Sequence, residues 1–223
     1  MGYAFSFPYI LRAGPDLLSG LAITMQVSIV SMVLACAIGV SGAALRVLEV
    51  PIAARIVAGY VTFIRSTPLL PQIFFIFYGL ASLGLPLSDY WSGVLALSLW
   101  GGAYNTENVR GGFLAVPQGL RDAATALALR RLDYLVLVAL PIGLRVSIPA
   151  ILNTSISVLK NSAYLQAVGL AELTFVAMER VAQDLRTLEM FAAIGILYLT
   201  LVLVLSVLVR RIEIGLSRPF RPS

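Results

Sequence analysis

Residues 121–153 read RDAATALALRRLDYLVLVALPIGLRVSIPAILN. The stretch opens on charge and small side chains, Asp122-Ala123-Ala124, and passes Arg130 and Arg131. It then turns apolar, meets Pro141 and Pro149, and runs on as a long hydrophobic segment. Alanine-rich, charged sequence predicts a helix. A segment of about 30 residues is too long for a connector and its first half too polar for lipid. It is therefore predicted to dock at the surface of a membrane.

The rest of the chain supports a membrane setting. Hydrophobic residues make up 59% of the 223 positions and charged residues only 12%, about half the charge that soluble domains carry. Crossing a bilayer takes about 20 mostly apolar residues. Five segments meet that need: 18–45, 67–83, 91–109, 142–164 and 190–209. Their apolar runs are continuous rather than alternating, which argues against a β-barrel. The expected fold class is all-α, a polytopic membrane protein of about five transmembrane helices forming one domain, 1–223. Residues 1–19, with Phe5, Phe7, Pro8, Tyr9 and Pro15, suit an interfacial segment and lack the basic start of a cleaved signal peptide.

Several chemistries drop out at once. There is no histidine, which removes Ser-His-Asp hydrolysis, His-ligated zinc and haem; neither catalytic residues nor a metal site are expected. Cys36 stands alone inside the first segment, so no disulfide framework exists and it packs as a small hydrophobe.

A net charge of +5 and a pI near 9.7 raise the question of nucleic acid, but the distribution answers it. Arg46, Arg55, Arg65, Arg110, Arg121, Arg130, Arg131, Arg145, Arg210, Arg211, Arg218 and Arg221 fall in alternate connections and the tail; Arg12, Arg180 and Arg186 fall in the others. The positive-inside rule then predicts an external N-terminus and a cytoplasmic C-terminus. Nucleic acid is not an expected partner.

Four motifs carry more specific information. Asp122-Ala123-Ala124 followed by Leu140-Pro141 resembles the EAA loop of the membrane subunits of bacterial ABC importers, with Asp122 for the usual Glu and Ala128 where the family has glycine. A Cβ at a left-handed turn costs roughly 1 kcal/mol. Phe63-Ile64-Arg65-Ser66-Thr67-Pro68-Leu69-Leu70 resembles the opening of the second span in the amino-acid branch of these permeases. Glu107-Asn108-Val109-Arg110-Gly111-Gly112, then Val116-Pro117-Gln118-Gly119, resembles the run leading into the EAA loop. Lys160-Asn161-Ser162 and Gly169-Leu170-Ala171-Glu172-Leu173 resemble later motifs of the same branch, though Asn161 lacks the family's carboxylate.

The resemblance covers residues 16–212 in the family's order. It implies a type I ABC importer permease fold, with an EAA-like cytoplasmic loop near 113–141 whose Asp122, Ala123, Ala124, Leu127, Ala128, Arg130 and Arg131 meet an ATPase. It implies that two permeases, identical or sister chains, pair in a bacterial inner membrane on a dimer of ATP-binding cassette subunits, and that an external solute-binding protein delivers a polar amino acid. ATP and magnesium belong on the partner. Independently, a P-loop needs lysine after a glycine-rich turn, and the only lysine, Lys160, follows Val158-Leu159 within an apolar segment.

Residue patterns suggest where cargo passes. Asn153, Ser157, Lys160, Asn161 and Tyr164 share one α-helical face, which either lines a route or seam or lets Lys160 snorkel to the interface. Glu107 and Arg110, three apart, either form a local pair or place Glu107 in a cytoplasmic gate; Arg65, in the proline-bearing entry to the second span, is a separate pathway or gate candidate. Glu172, Glu179, Asp184 and Glu189 read as solvated carboxylates. Lying on an anionic lipid surface is the other reading of the loop helix. Two other classes compete. An ion-coupled secondary transporter would need acidic residues within its spans, and only Glu107 qualifies. An intramembrane Ser-Lys hydrolase would rest on Lys160 with Ser157 or Ser162, whose spacing gives it no support.

Overall fold

The computed structural model describes residues 5–217; the tail arginines Arg218 and Arg221 lie outside them. Among the described residues there is no β-strand. Helix α1 is Phe7–Val47, α2 Pro51–Ser66, α3 Leu69–Ser82, α4 Asp89–Leu114 and α5 Gln118–Ala126. Helix α6 is Arg131–Val168, α7 Leu173–Asp184 and α8 Thr187–Ser217. Phe7–Val47, Arg131–Val168 and Thr187–Arg211 are long and apolar enough to cross a membrane unaided, and α2 with α3 makes a fourth if counted as one broken span. Helix α4 has 26 residues but does not pass that test, because the polar run 104–110 dilutes its apolar half.

Several local features follow from sequence chemistry. Pro15 lies inside α1, so the segment expected to lie along the interface is the first part of a continuous 41-residue helix. Thr67, which precedes Pro68, is extended (φ −114°, ψ 144°), as a residue before proline must be to escape the ring. Its hydroxyl donates to the Phe63 carbonyl at 2.9 Å, occupying an acceptor that the broken helix leaves open. Two single π-helical turns, Phe75–Gly79 in α3 and Leu135–Ala139 in α6, widen those helices locally. Beyond Asn161, α6 tightens to a 3₁₀ helix over Ser162–Val168 and stops at Gly169, whose φ of +87° suits a residue without Cβ.

The chain divides into two compact units. One takes the chain up to Ser31 together with Leu70–Leu97 and Ile156–Val207. Its core joins Ala13 and Leu17 of α1 to Leu173 and Ala177 of α7 and to Met190, Ala193 and Ile194 of α8. Gly20 lies against the Leu173 backbone, where an added Cβ would come within 3.0 Å. Arg180 pairs with Asp16, and the Tyr9 hydroxyl donates to Asp184 at 2.6 Å.

The other unit comprises Met32–Leu69, Ser98–Ser155 and the chain from Leu208. Here α1 and α4 approach closely: Gly39 rests on Asn105 and Gly42 on Thr106. Small residues serve this purpose between membrane helices, where packing rather than water exclusion drives association. A core of Ala43, Val109, Phe113, Val116, Leu135 and Ala139 ties the ends of α1 and α4 to the start of α6. Ser147 Oγ of α6 donates to Asn108 O of α4 at 3.1 Å, and Asn108 Nδ2 donates to Ala150 O and Thr154 Oγ1, so α4 and α6 share polar as well as steric contacts.

Adjacent glycines of α4 separate these effects. A Cβ on Gly112 collides with Ser147 Oγ and the Gly143 carbonyl, whereas one on Gly111 meets nothing within 4 Å. Gly112→Ala is expected to destabilise by about 1–3 kcal/mol. Gly111→Ala should gain up to about 1 kcal/mol from helix propensity. Thermal unfolding of the two purified variants in one detergent checks the opposite signs.

Candidate functional site

The loop at the end of α4 begins with α5, a helix of nine residues. Pro117 precedes it at the N-cap position, and Gln118 Nε2 donates to Asp122 Oδ1 at 2.9 Å, the i, i+4 spacing that brings side chains together. Ala124 is buried, while Leu120, Ala123 and Leu127 are exposed, Leu127 at 73%. Offsets of three and seven put those three on one face. The helix ends at Ala126, and just past its C-cap Leu127 Ala128 adopts φ +49°, so the alanine at the family's glycine position does enter the left-handed region. Arg130 then pairs with Asp133 at 2.9 Å and Arg131 with Glu49 at 2.8 Å. Both are surface pairs, screened by water and contributing little to stability.

Behind this loop lies a small ionic network. Glu107 accepts from Arg110 Nη2 at 2.6 Å and Nε at 3.0 Å, and its second oxygen pairs with Arg46. All three side chains are at most about a third exposed. The local Glu107–Arg110 pair is legible from spacing; Arg46 is 61 residues away and gave no local signal. Arg121 of α5 turns back to α4, donating to the carbonyls of Leu114 (2.5 Å) and Phe113 (3.3 Å) at its C-terminus.

A cavity of about 460 Å³ opens beside this network, walled in part by Arg46, Arg65, Glu107, Tyr104, Thr62 and Ser66. The Arg65 guanidinium sits over the Tyr104 ring, 5.0 Å from its centroid, a cation–π geometry. Arg65 and Glu107, two of the residues assigned to the pathway or gate, therefore share one wall. Asn153, Ser157, Lys160 and Asn161 do not line it. Along α6, Asn153 and Lys160 are exposed and Ser157 and Asn161 half-buried. Tyr164 falls in the 3₁₀ stretch, so its α-helical offset does not apply, although it too is exposed.

The acidic segment needs a correction. Glu179 and Asp184 are exposed, but Glu172 and Glu189 are fully buried. Glu172 caps α7, accepting from the amides of Thr174 (2.9 Å) and Phe175 (2.8 Å) and from the Tyr198 hydroxyl (2.9 Å). Glu189 accepts from Arg186 and from the Ser6 amide. Burial pushes the Glu172 carboxyl above its ordinary range, against the pull of the two amides and Tyr198.

Comparison with known proteins gives the class. Residues 35–218 match the model of the binding-protein-dependent transport system inner membrane component. The chain is 32% identical over 211 residues to the Escherichia coli K12 glutamine transport system permease protein GlnP, covering 94% of this chain and 96% of that one. It is 30% identical over 200 residues to the Bacillus subtilis arginine transport system permease protein ArtQ, covering 89% and 91%. A crystal structure of an amino acid ABC transporter, solved with histidines, superposes with a TM-score of 0.88 at 27% identity, over 95% of this chain and 99% of that one. The inward-facing MetNI methionine transporter gives 0.78 at 21%, a likeness of fold.

The chain belongs to the family of binding-protein-dependent transport system inner membrane components. It is a multi-pass permease subunit of an ABC importer, a transport component that works with a separate ATPase and a binding protein. The ion-coupled and hydrolase readings give way to it.

Two outcomes follow from this geometry. Because Glu172 holds its proton more tightly when folded, stability falls as pH rises from the ordinary carboxylate range through its raised value. Unfolding followed across that range should slope downward for the native protein and be flatter for Glu172→Gln. Ala128→Gly should relieve up to about 1 kcal/mol of left-handed strain, while the same change at Ala123, within α5, should cost about that much. Thermal midpoints of the two variants test the contrast.

Proposed function

We propose that this permease imports a polar amino acid and receives the ATPase at α5. The observation that carries this reading is the exposed apolar face of Leu120, Ala123 and Leu127 on a helix tied back at both sides by Arg121 and Arg131. An apolar centre with Asp122, Arg130 and Arg131 around it has the make-up of a protein interface, with small Ala123 and Ala128 allowing close approach, while Ala124 faces inward and anchors the helix. The ATPase dimer supplies ATP and magnesium. The relatives named for glutamine and arginine transport support an amino acid as cargo.

The cavity by Arg65 and Glu107 fits such a cargo in kind. A zwitterion brings a carboxylate for a guanidinium and an ammonium for a carboxylate, and charge-assisted bonds of both types are stronger than neutral ones. The polar face of α6, with Asn153 and Lys160 exposed and Ser157 and Asn161 half-buried, then turns to a second permease or to the route itself. Arginine placement supports an external N-terminus and a cytoplasmic C-terminus, an orientation consistent with α5 meeting the ATPase.

The test is Leu127→Arg in proteoliposomes holding the complete importer. Leu127 is largely exposed, so membrane insertion should be unchanged. ATP-driven uptake should fall at least about tenfold, the effect of losing about 1.4 kcal/mol of coupling, and less ATPase should co-purify. Normal uptake by this variant would sink the assignment.

A further inference from the structure

A second, larger cavity, of about 690 Å³, lies where α1 and α4 end and α5 begins. Arg46, Arg110, Arg121 and Arg131 all line it. Only Glu49 opposes them there, with Glu107 just behind. Four positive groups against two negative leave a surplus of two. The C-terminal ends of α1 and α4 offset part of it, about half a charge each, and a positive balance remains.

The pairing shows where the surplus sits. One carboxylate, Glu107, serves both Arg46 and Arg110, and Glu49 serves Arg131. Arg121 donates only to backbone carbonyls, and its buried Nε has no hydrogen-bond partner. Both bonds to carbonyls use Nη2 and Nε is shut away from the cavity, so Nη1 is the group left to donate to an oxyanion there. The remaining wall is apolar and aromatic, formed by Phe113, Leu114, Leu129 and Tyr134. Leu114 is 55% exposed.

We propose that this cavity binds the phosphodiester headgroup of an anionic phospholipid, with Arg121 as its principal ligand. The position is where apolar helices give way to a charged loop, the depth at which headgroups lie. Basic pockets beside membrane helices are suited to such headgroups. The apolar wall gives the lipid's glycerol and upper acyl chain a surface that free phosphate has no use for. A lipid seated there would fill the space between α5 and the ends of α1 and α4, joining the loop to the bilayer as well as to the protein.

The complete importer, purified from the membrane and exchanged into nanodiscs of mixed phosphatidylglycerol and phosphatidylethanolamine, tests this by native mass spectrometry of retained lipid. The native complex should keep phosphatidylglycerol in preference to phosphatidylethanolamine. Arg121→Gln should lower that retention about fivefold, the attraction of one arginine near the surface. Arg121→Lys should keep most of it, and Arg12→Gln, at the far end of α1, should keep all of it. If Arg121→Gln does not assemble, retention by the native complex is followed with rising salt, and a steady decline supports the site. Equal retention in Arg121→Gln, no preference for the anionic lipid, insensitivity to salt, or displacement by inorganic phosphate alone overturns it.

Discussion

One carboxylate between two guanidiniums, Glu107 with Arg46 and Arg110, fixes the geometry on which the loop depends. The three side chains are partly withdrawn from water, so each charge has given up hydration that only its partners restore. Glu107 and Arg110 lie one turn apart on α4, and Arg46 closes α1. The network therefore holds the ends of two helices in one register. Without the carboxylate, two half-buried cations would face each other, and α1 and α4 would be pushed apart where they now meet.

That ionic link works only because the helices already touch. Gly39 and Gly42 admit Asn105 and Thr106 against the α1 backbone, and Gly112 and Gly143 do the same for α4 and α6. In lipid there is little to gain from burying one apolar side chain against another rather than against an acyl chain, so contact distance and polar pairing decide which helices associate. The Asn108 bonds to Ala150 and Thr154 and the Ser147 bonds to Asn108 and Gly143 follow the same logic. Side chains that would be liabilities on a lipid-facing surface become the specific part of the packing.

Much of this was legible in the sequence, and the exceptions share causes. Apolar run length locates long helices because backbone groups in lipid must bond within their own segment. The Glu107–Arg110 pair follows from local spacing, and the left-handed turn at Ala128 from the position the loop motif reserves for glycine. Arg46 reads as a topological charge because nothing in the 60 residues that follow marks Glu107 as its partner. Glu172 and Glu189 bracket a segment that also carries Glu179 and Asp184, and the four carboxylates together look solvated; only the fold shows that helix amides, a tyrosine and an arginine replace water around two of them. The start of α1 reads as interfacial because Pro8 and Pro15 suggest a break, yet a proline in the first turn costs little and Pro15 is absorbed by the helix. Tyr164 leaves its expected face because the helix tightens after Asn161, which α-helical periodicity does not anticipate.

The proposed coupling makes a mechanical demand that these contacts meet. A helix of nine residues, isolated in water, is too short to hold itself, so α5 persists because it is fastened. Arg121 ties it to the last carbonyls of α4, Ala124 packs inward, and Arg131 bridges to Glu49 just beyond α1. A partner pressing on Leu127 would therefore move the ends of α1 and α4 rather than bend the loop. The left-handed Ala128 works the same way, since a residue with a Cβ in that region has few alternatives nearby. Slack in a transmitter dissipates motion, and strain at a single residue is a small cost against a loop that would otherwise give way.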